Sequence, residues 1–248
     1  MPRGFVRLLL LLAALGVLTA CSGADAQRAK ELLAEANAAQ AKVVSASYDV
    51  RVVVSAGDQQ YTMSMNGGGY FKGPRAGDQF MSLRGAGLLG PLSFELVSRG
   101  GRAVVRANGR TQSFPMPTGG TGSQTANWTA IVAELARFVK SVDVRENSVV
   151  AGRRGTTVTG VIDTAGLVKA AAGLNIFSKA AGAGTAAFDE MAKTLGDTRV
   201  VLFISDRTKL IRSAAITLEL KGAGQGAKVQ VYYNLRGVNR PVAIPSPY

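Results

Sequence analysis

Cysteine and histidine supply much of the nucleophilic and metal-binding chemistry of proteins, and this chain holds one cysteine, Cys21, and no histidine. That inventory excludes disulfides, Ser-His-Asp triads and Cys-His nucleophiles, and it leaves no ligand set for zinc or copper. The sixteen carboxylates are scattered through predicted turns and outward strand positions, so no acid–base pair stands out. We therefore expect no enzyme activity, no cofactor and no metal. The Cys21 thiol is left as the group with a specific chemistry.

The residues before Cys21 indicate what that chemistry is. Arg3 and Arg7 precede an apolar run, 8–17, that is too short to span a bilayer, and Leu18-Thr19-Ala20 follows it. This pattern resembles a bacterial lipoprotein signal, in which cleavage before the cysteine allows its thiol to receive a thioether-linked diacylglycerol. We predict a signal peptide over 1–20, a lipidated tether over 21–24 and a location on the outer face of the cell membrane. The alternative is an ordinary signal peptide that leaves Cys21 as a spare thiol.

The remaining chain is long enough for one hydrophobic core, so we expect a single domain over 25–248. The formal net charge of the full chain is +13, and loss of the leader removes two of these charges. Outside the cytoplasm, such a charge favours anionic lipid or cell-wall polymer as a partner over nucleic acid. The alternative is that the charge serves solubility alone.

The first half of the chain changes from a helical to a strand period. Asp25 is placed to cap an amphipathic helix with inward residues Ala29, Leu32, Leu33, Ala36, Val43 and Val44. From residue 47 the period is two, and a hairpin over 47–66 is predicted to bend or end at Gly67-Gly68-Gly69. Short strands are predicted at 80–83, 92–97, 103–107 and 111–114.

The second half returns to helix and then to strands. Asn127 is placed to cap a helix that extends to Val139, and strands over 142–150 and 156–163 flank a turn at 152–155. Helices are predicted over 165–172, from Asp163 or Thr164, and over 186–195. Long strands over 198–205, 210–220 and 227–238 close the chain. One apolar face on the helices and one on the sheet must bury each other, which predicts an α+β fold.

Two strand-turn-strand segments carry a family resemblance. Val150-Ala151-Gly152-Arg153-Arg154 precedes 157–163, and the strand 200–206 leads into Lys209-Leu210-Ile211-Arg212. Together with the element order, they resemble the LolA-like lipid-carrier lipoproteins of the actinobacterial cell envelope, of the LppX and LprG type. The resemblance implies a strongly curved antiparallel sheet, an unclosed LolA/LolB-like half-barrel of about eleven strands, with helices covering the concave face. It also implies an apolar cavity for the acyl chains of a lipid or glycolipid.

Strand alternation places one set of apolar residues on the inward faces, where we predict that they line this cavity. A second set lies on a glycine-flanked connection that could fold over them as a gate. The two sets are Val50, Val52, Met63, Met65, Phe94, Leu202, Ile216 and Leu218, and Leu174, Ile176 and Phe177. The alternative is a filled core in an envelope interaction protein that presents a basic surface to cell-wall polymer or a protein partner. A monomer is expected in either case.

The segment 72–110 is rich in arginine and lysine. Its residues Arg99, Arg102, Arg106 and Arg110 are predicted to contact anionic surfaces. The alternative is a solvated sheet edge that charge protects from aggregation.

The signal pattern gives a first testable prediction. Cys21→Ala should accumulate as uncleaved precursor or soluble protein, because two or three acyl chains anchor stably and each buried CH₂ contributes about 0.8 kcal/mol. Metabolic labelling with a fatty acid should mark the wild type and not the variant. Equal labelling of the two would contradict lipidation at Cys21.

Overall fold

The computed structural model describes residues 23–87, 90–107, 109–115, 139–166, 193–221 and 226–246. These ranges contain one long helix and a series of strands. The helix is α1 (Ala24–Gln40), and the strands are β1 (Ser45–Ala56), β2 (Gln59–Tyr70), β3 (Gln79–Gly87), β4 (Gly90–Arg99), β5 (Arg102–Ala107), β6 (Arg110–Pro115), β7 (Val139–Val150), β8 (Arg153–Ile162), β9 (Leu195–Ser205), β10 (Ile211–Leu220) and β11 (Ala227–Arg236).

All eleven strands belong to one antiparallel sheet with the order β6-β5-β4-β3-β2-β1-β11-β10-β9-β8-β7. The two ends of the chain's strand series meet in the middle, where β1 pairs with β11. Among the described strands, β6 and β7 form the two edges and do not pair with each other, so the sheet is open. The fold class predicted from the sequence, an α+β fold with an unclosed antiparallel sheet of about eleven strands and helices on one face, is confirmed, and α1 is the one long helix among the described residues.

Helix α1 packs on one face of this sheet, which we call the inner face. Its buried residues Ala26, Ala29, Leu32, Leu33 and Ala36 recur at intervals of three and four, as predicted. Two details of the prediction were wrong. Gly23 is the N-cap and makes no side-chain cap bond, while Asp25 lies in the first turn, where its charge favours the helix dipole. Val43 and Val44 both lie beyond the helix, and of the two Val43 is buried while Val44 is exposed.

Two ion pairs connect the two halves of α1 to different parts of the sheet. The guanidinium of Arg28 lies 2.9 Å from a carboxylate oxygen of Glu146 on β7. The ammonium of Lys209, between β9 and β10, lies 3.8 Å from Glu35. Exposed pairs of this kind contribute little to stability, because solvent screens them, so they orient the helix more than they stabilise it.

Several strand ends differ from the predicted ones. Val139 starts β7 and Leu195 starts β9, although both were assigned to helices, because each pairs across the sheet, with Ile162 and Leu220 respectively. The β7–β8 turn is Ala151 and Gly152, both at positive φ, and not 152–155. The predicted helices over 127–138, 167–172 and 186–192 lie outside the described residues, and so does the predicted gate with Leu174, Ile176 and Phe177.

The strand β2 does not end at its three glycines, contrary to the prediction. Gly67, Gly68 and Gly69 pair in register with β1, and their missing side chains leave room for neighbours on both faces. A Cβ on Gly67 would lie 2.5 Å from the hydroxyl of Tyr48, and one on Gly68 would lie 2.9 Å from a methyl of Val242. The glycines therefore let an aromatic ring and the C-terminal segment lie flat on the sheet.

The C-terminal segment after β11 is tied to the start of β1 and the end of β2. The Asn239 side chain accepts a hydrogen bond from Val44 N at 2.8 Å, and the Ser45 hydroxyl donates to the carbonyl of Arg240 at 2.7 Å. The backbone N–H of Val242 donates to the hydroxyl of Tyr70 at 3.0 Å. These bonds hold the segment on the sheet face opposite α1, which we call the outer face.

The packing of Tyr48 over Gly67 gives a second prediction. Gly67→Ala should destabilise the protein by about 1 to 3 kcal/mol, because the added methyl meets both the Tyr48 ring and the carbonyl oxygen of Phe80. Ser64→Ala on the same strand, at an exposed position, is the matched control and should change stability by about 0.5 kcal/mol or less. Denaturant unfolding measures both. Equal stability of the two variants would show that the ring does not depend on this glycine.

Candidate functional site

A continuous row of apolar side chains crosses the inner face. Its members are direct cross-strand partners, which in an antiparallel sheet project to the same side. From β7 to β5 the row reads Val144, Val158, Leu202, Ala214, Tyr233, Val50, Met65, Leu83, Phe94 and Ala107. Its last neighbour, on the edge strand β6, is Arg110.

Two further rows run parallel to this one and are also uncharged. One passes through Met63, Val52, Val231, Ile216 and Val200, and the other through Tyr61, Val54, Val229, Leu218 and Thr198. All three rows continue through direct cross-strand partners on the outer strands. Every such partner on β3, β4, β5, β7 and β8 is also uncharged. The inner face is therefore an apolar surface of nearly the full width of the sheet.

Burial divides the inner face into two parts. Under α1 the side chains are closed off from solvent, with Leu202 at 0% and Val158 at 1% exposure. Outside this cluster, Leu96 on β4 and Ala103 on β5 are also buried, but many apolar side chains of the inner face are only half-buried. We call these residues the half-buried patch: Val52, Val54, Met63, Met65, Leu83, Phe94, Ile216, Leu218, Val229 and Val231.

The structure brings together the described residues that the sequence predicted for a cavity. Val50, Val52, Met63, Met65, Phe94, Leu202, Ile216 and Leu218 all lie on the inner face. Val50 and Leu202 are buried in the core beneath α1, and the other six belong to the half-buried patch. A role of these residues in binding a ligand stays a prediction.

Four members of the half-buried patch were absent from the predicted set. They are Val54, Leu83, Val229 and Val231. Strand alternation already placed Val54, Val229 and Val231 on apolar strand faces. Leu83 pairs with both Met65 and Phe94, and this contact between nonadjacent segments identifies it as a patch residue.

Two tyrosines stack on the inner face, toward the end of the sheet where β1 begins and β11 ends. The rings of Tyr48 and Tyr233 stack with centroids 6.2 Å apart and an interplanar angle of 25°. Burial raises the pKa of both hydroxyls, and for Tyr233 the neighbouring Tyr48 adds to the rise while Arg212 opposes it. Burial, together with the nearby Arg153, lowers the pKa of Arg212. The tyrosines therefore remain neutral and act as part of the apolar surface.

The four predicted surface arginines are not one cluster. Arg99 and Arg102 are direct partners across the β4–β5 turn, on the outer face. Arg106 shares that face and lies 3.7 Å from the carboxylate of Glu95. Arg110 pairs with Ala107, so it belongs to the inner-face register near the opposite end of the strands.

A groove of about 340 Å³ lies on the outer face, between β2, β3, β4 and the C-terminal segment. It is lined by Asn66, Phe80, Met81, Ser82, Arg84, Glu95, Val97 and Pro245. None of these is a predicted cavity residue. The groove is therefore distinct from the half-buried patch.

No group of three or more metal-ligating side chains occurs within the described part of the chain. In the same residues, no helix combines the length and apolarity needed to cross a membrane. Cys21 lies outside them.

No family model and no curated protein sequence matches the chain. It is similar to the crystal structure of LppX from Mycobacterium tuberculosis, with a TM-score of 0.45 and 14% identity over 87% of this chain and 97% of LppX. It is also similar to LprF from Mycobacterium bovis, with a TM-score of 0.47 and 14% identity over 91% of this chain and 99% of LprF.

A LolA superfamily protein from Nitrosomonas europaea shows a weaker likeness, with a TM-score of 0.23 and 10% identity over 86% of this chain and 94% of that protein. The resemblance to LppX-type lipoproteins that the sequence predicts is thus confirmed as a structural likeness. With TM-scores below 0.5, these likenesses assign neither a family nor a function.

The buried tyrosines predict a loss of stability at alkaline pH. A hydroxyl whose pKa is higher in the folded than in the unfolded chain contributes its full stability below the ordinary pKa of 10.0. That contribution is lost as the pH rises through the folded pKa. Removing the Tyr233 hydroxyl, in Tyr233→Phe, should reduce the loss above pH 10 by up to about 1.4 kcal/mol per pH unit.

The measurement is denaturant unfolding between about pH 8 and 11. Tyr232→Phe, at an exposed neighbouring position, is the matched control and should follow the wild type. If Tyr233→Phe also follows the wild type, the Tyr233 hydroxyl ionises as readily in the folded chain as in the unfolded one.

Proposed function

We propose that this protein binds the acyl chains of a lipid or glycolipid on the half-buried patch. The observation that carries the proposal is the mismatch between the apolar surface and its cover: the uncharged rows extend from β7 to β5, while the fully buried cluster lies beneath α1. Many apolar residues beyond the helix remain half-buried. Large apolar patches of this kind on soluble proteins mark sites for ligands or partners.

The side chains of the patch fit an acyl chain better than a polar ligand. Valine, leucine and isoleucine offer no hydrogen bonds, while Met63 and Met65 are flexible and can adapt to chains of different shape. An acyl chain that leaves water for such a surface gains about 0.8 kcal/mol per buried CH₂. Specificity for the headgroup would have to come from polar groups around the patch, since its own residues supply none.

The wider role that we propose is that of a non-enzymatic, monomeric carrier or receptor in the cell envelope. The lipoprotein pattern at Cys21 supports attachment to the outer face of the cell membrane through a lipid anchor. The family resemblance of the sequence supports lipid or glycolipid as the ligand. The alternative is a filled core and an interaction role toward cell-wall polymer or a protein partner. The packed region under α1 would then continue across the patch.

A pair of matched substitutions distinguishes an open patch from a filled core. Leu218→Trp, in the half-buried patch, should keep near-wild-type thermal stability and lose binding of a fluorescent acyl probe, because the ring occupies space meant for the ligand. Leu202→Trp, at 0% exposure under α1, should overpack the core and cost roughly 1 to 3 kcal/mol or more. Thermal unfolding and probe titration of delipidated protein measure both effects.

Two outcomes would count against the proposal. Wild-type protein that never binds the probe would contradict the binding of acyl chains. Equal destabilisation by Leu218→Trp and Leu202→Trp would show that the patch is as tightly packed as the core, which favours the interaction protein.

A further inference from the structure

Because neighbouring strands are antiparallel, successive strand connections lie at alternate ends of the sheet. One end gathers residues 42–44 before β1 and the connections β2–β3, β4–β5, β7–β8 and β9–β10. We call this end, with the strand residues that flank each connection, the basic rim. The opposite end holds the described parts of the other connections.

Exposed apolar side chains concentrate on the basic rim. Within the described residues, the exposed large hydrophobic residues are Val44, Phe71, Val149, Val150 and Tyr232. The first four lie on the rim, and Val149, at 64%, is the most exposed of them. They form two pairs. Val149 and Val150 are adjacent in the chain, and Phe71 lies beside Val44 because its N–H donates a 2.7 Å hydrogen bond to the carbonyl of Val44. The pairs are five strand spacings apart, roughly 24 Å along the sheet.

Arginines flank the valine pair at the tip of the β7–β8 hairpin. Val149 pairs directly with Arg154, and Val150 pairs with Arg153. Direct cross-strand neighbours have Cβ atoms about 4.5 to 5.5 Å apart, so each valine adjoins a guanidinium stem. The N–H of Asp206 bonds to the carbonyl of Arg154 at 3.3 Å, which brings Arg207 of the next connection to the same tip.

The other half of the rim repeats this combination. Lys72 follows Phe71 in the chain, and Arg99 pairs with Arg102 across the next turn along the sheet. In the described connections of the rim, the carboxylates are Asp78, which is paired with Arg75, and Asp206. Four residues farther along β7 and β1, Glu146 and Asp49 are paired with Arg28 and Arg236.

The two ends of the sheet differ in their charge balance. At the opposite end, the described acids and bases nearly balance, and the pair Lys140–Asp197 spans 2.7 Å. These residues are Asp58, Asp163, Asp197, Glu219, Arg110, Lys140, Lys193, Lys221 and Lys228. Among the described residues, the excess of positive charge is therefore larger on the rim.

We propose that the basic rim docks on the surface of an anionic lipid bilayer. Cations alone would suit any polyanion, but exposed valine and phenylalanine side chains beside them suit a surface with charged headgroups above an apolar interior. The cations meet the headgroup phosphates, and the apolar side chains enter the boundary beneath. The position of α1 is consistent with this orientation, because the Arg28–Glu146 pair places the first turns of the helix beside the rim half of β7.

The test uses the chain without the predicted leader 1–20 and with Cys21→Ser, so that neither the apolar leader, nor an anchor, nor a native thiol contributes. An environment-sensitive fluorophore is attached through Val149→Cys, or through Asp58→Cys at the opposite end as the control. Vesicles of phosphatidylcholine with about 30% phosphatidylglycerol should shift the emission of the dye at position 149 to the blue. Pure phosphatidylcholine should not, and raising the salt from about 0.1 to 0.5 M should reverse the shift, because it screens the attraction.

Charge reversal then identifies the surface that binds. Arg153→Glu with Arg154→Glu should weaken vesicle binding about tenfold or more, while Lys221→Glu with Lys228→Glu, at the opposite end, should leave it unchanged. Circular dichroism checks that both double variants remain folded. Equal shifts at positions 149 and 58, no shift at 149, or binding insensitive to the reversal at 153 and 154 would each overturn the proposal.

Discussion

The burial of the apolar stripe of α1 against the uncharged inner face is the contact on which the rest of the structure depends. Leu33, Leu202 and Val158 are closed off from solvent there, and each belongs to a different element. The hydrophobic effect in this small region holds the helix, β7 to β11 and β1 in one cluster. Ion pairs such as Arg28–Glu146 are exposed and only align the helix once it is packed.

Among the described residues, α1 packs on only part of this wide sheet, and the half-buried patch lies on the strands beyond it. The 17 residues of α1 extend for about 25 Å along the helix axis, whereas eleven strands at their usual spacing extend for roughly 50 Å. The alternation of residues continues unchanged from the covered to the uncovered strands, from Leu202 through Val50 to Phe94. The physical difference between core and patch therefore lies in the cover and not in the side chains.

This difference explains what sequence reasoning could and could not supply. The period of two assigned Val50, Met65 and Leu218 to one face correctly, because side-chain direction in a strand is a local property. Whether each is closed off depends on a helix far away in the chain. Local patterns also failed at Gly67 to Gly69, where β2 continues and Tyr48 and Val242 occupy the space that the missing side chains leave. They failed again at Val139, whose apolar neighbours indicated a helix, whereas pairing with Ile162 makes it a strand residue.

The arginines show that closeness in sequence does not predict a charge cluster in this fold. Arg99, Arg102, Arg106 and Arg110 are close in sequence, yet the two successive hairpins of β4, β5 and β6 distribute them over two faces and toward both ends of the sheet. Arg153 and Arg99, which are far apart in sequence, share the basic rim because antiparallel neighbours return the chain to the same end at every second connection. A charge cluster in this fold is therefore a property of strand order. The face of a residue follows from its parity, and its end follows from its distance to the turn. The three inner-face rows from β7 to β5 can therefore be free of charge while the rim collects it.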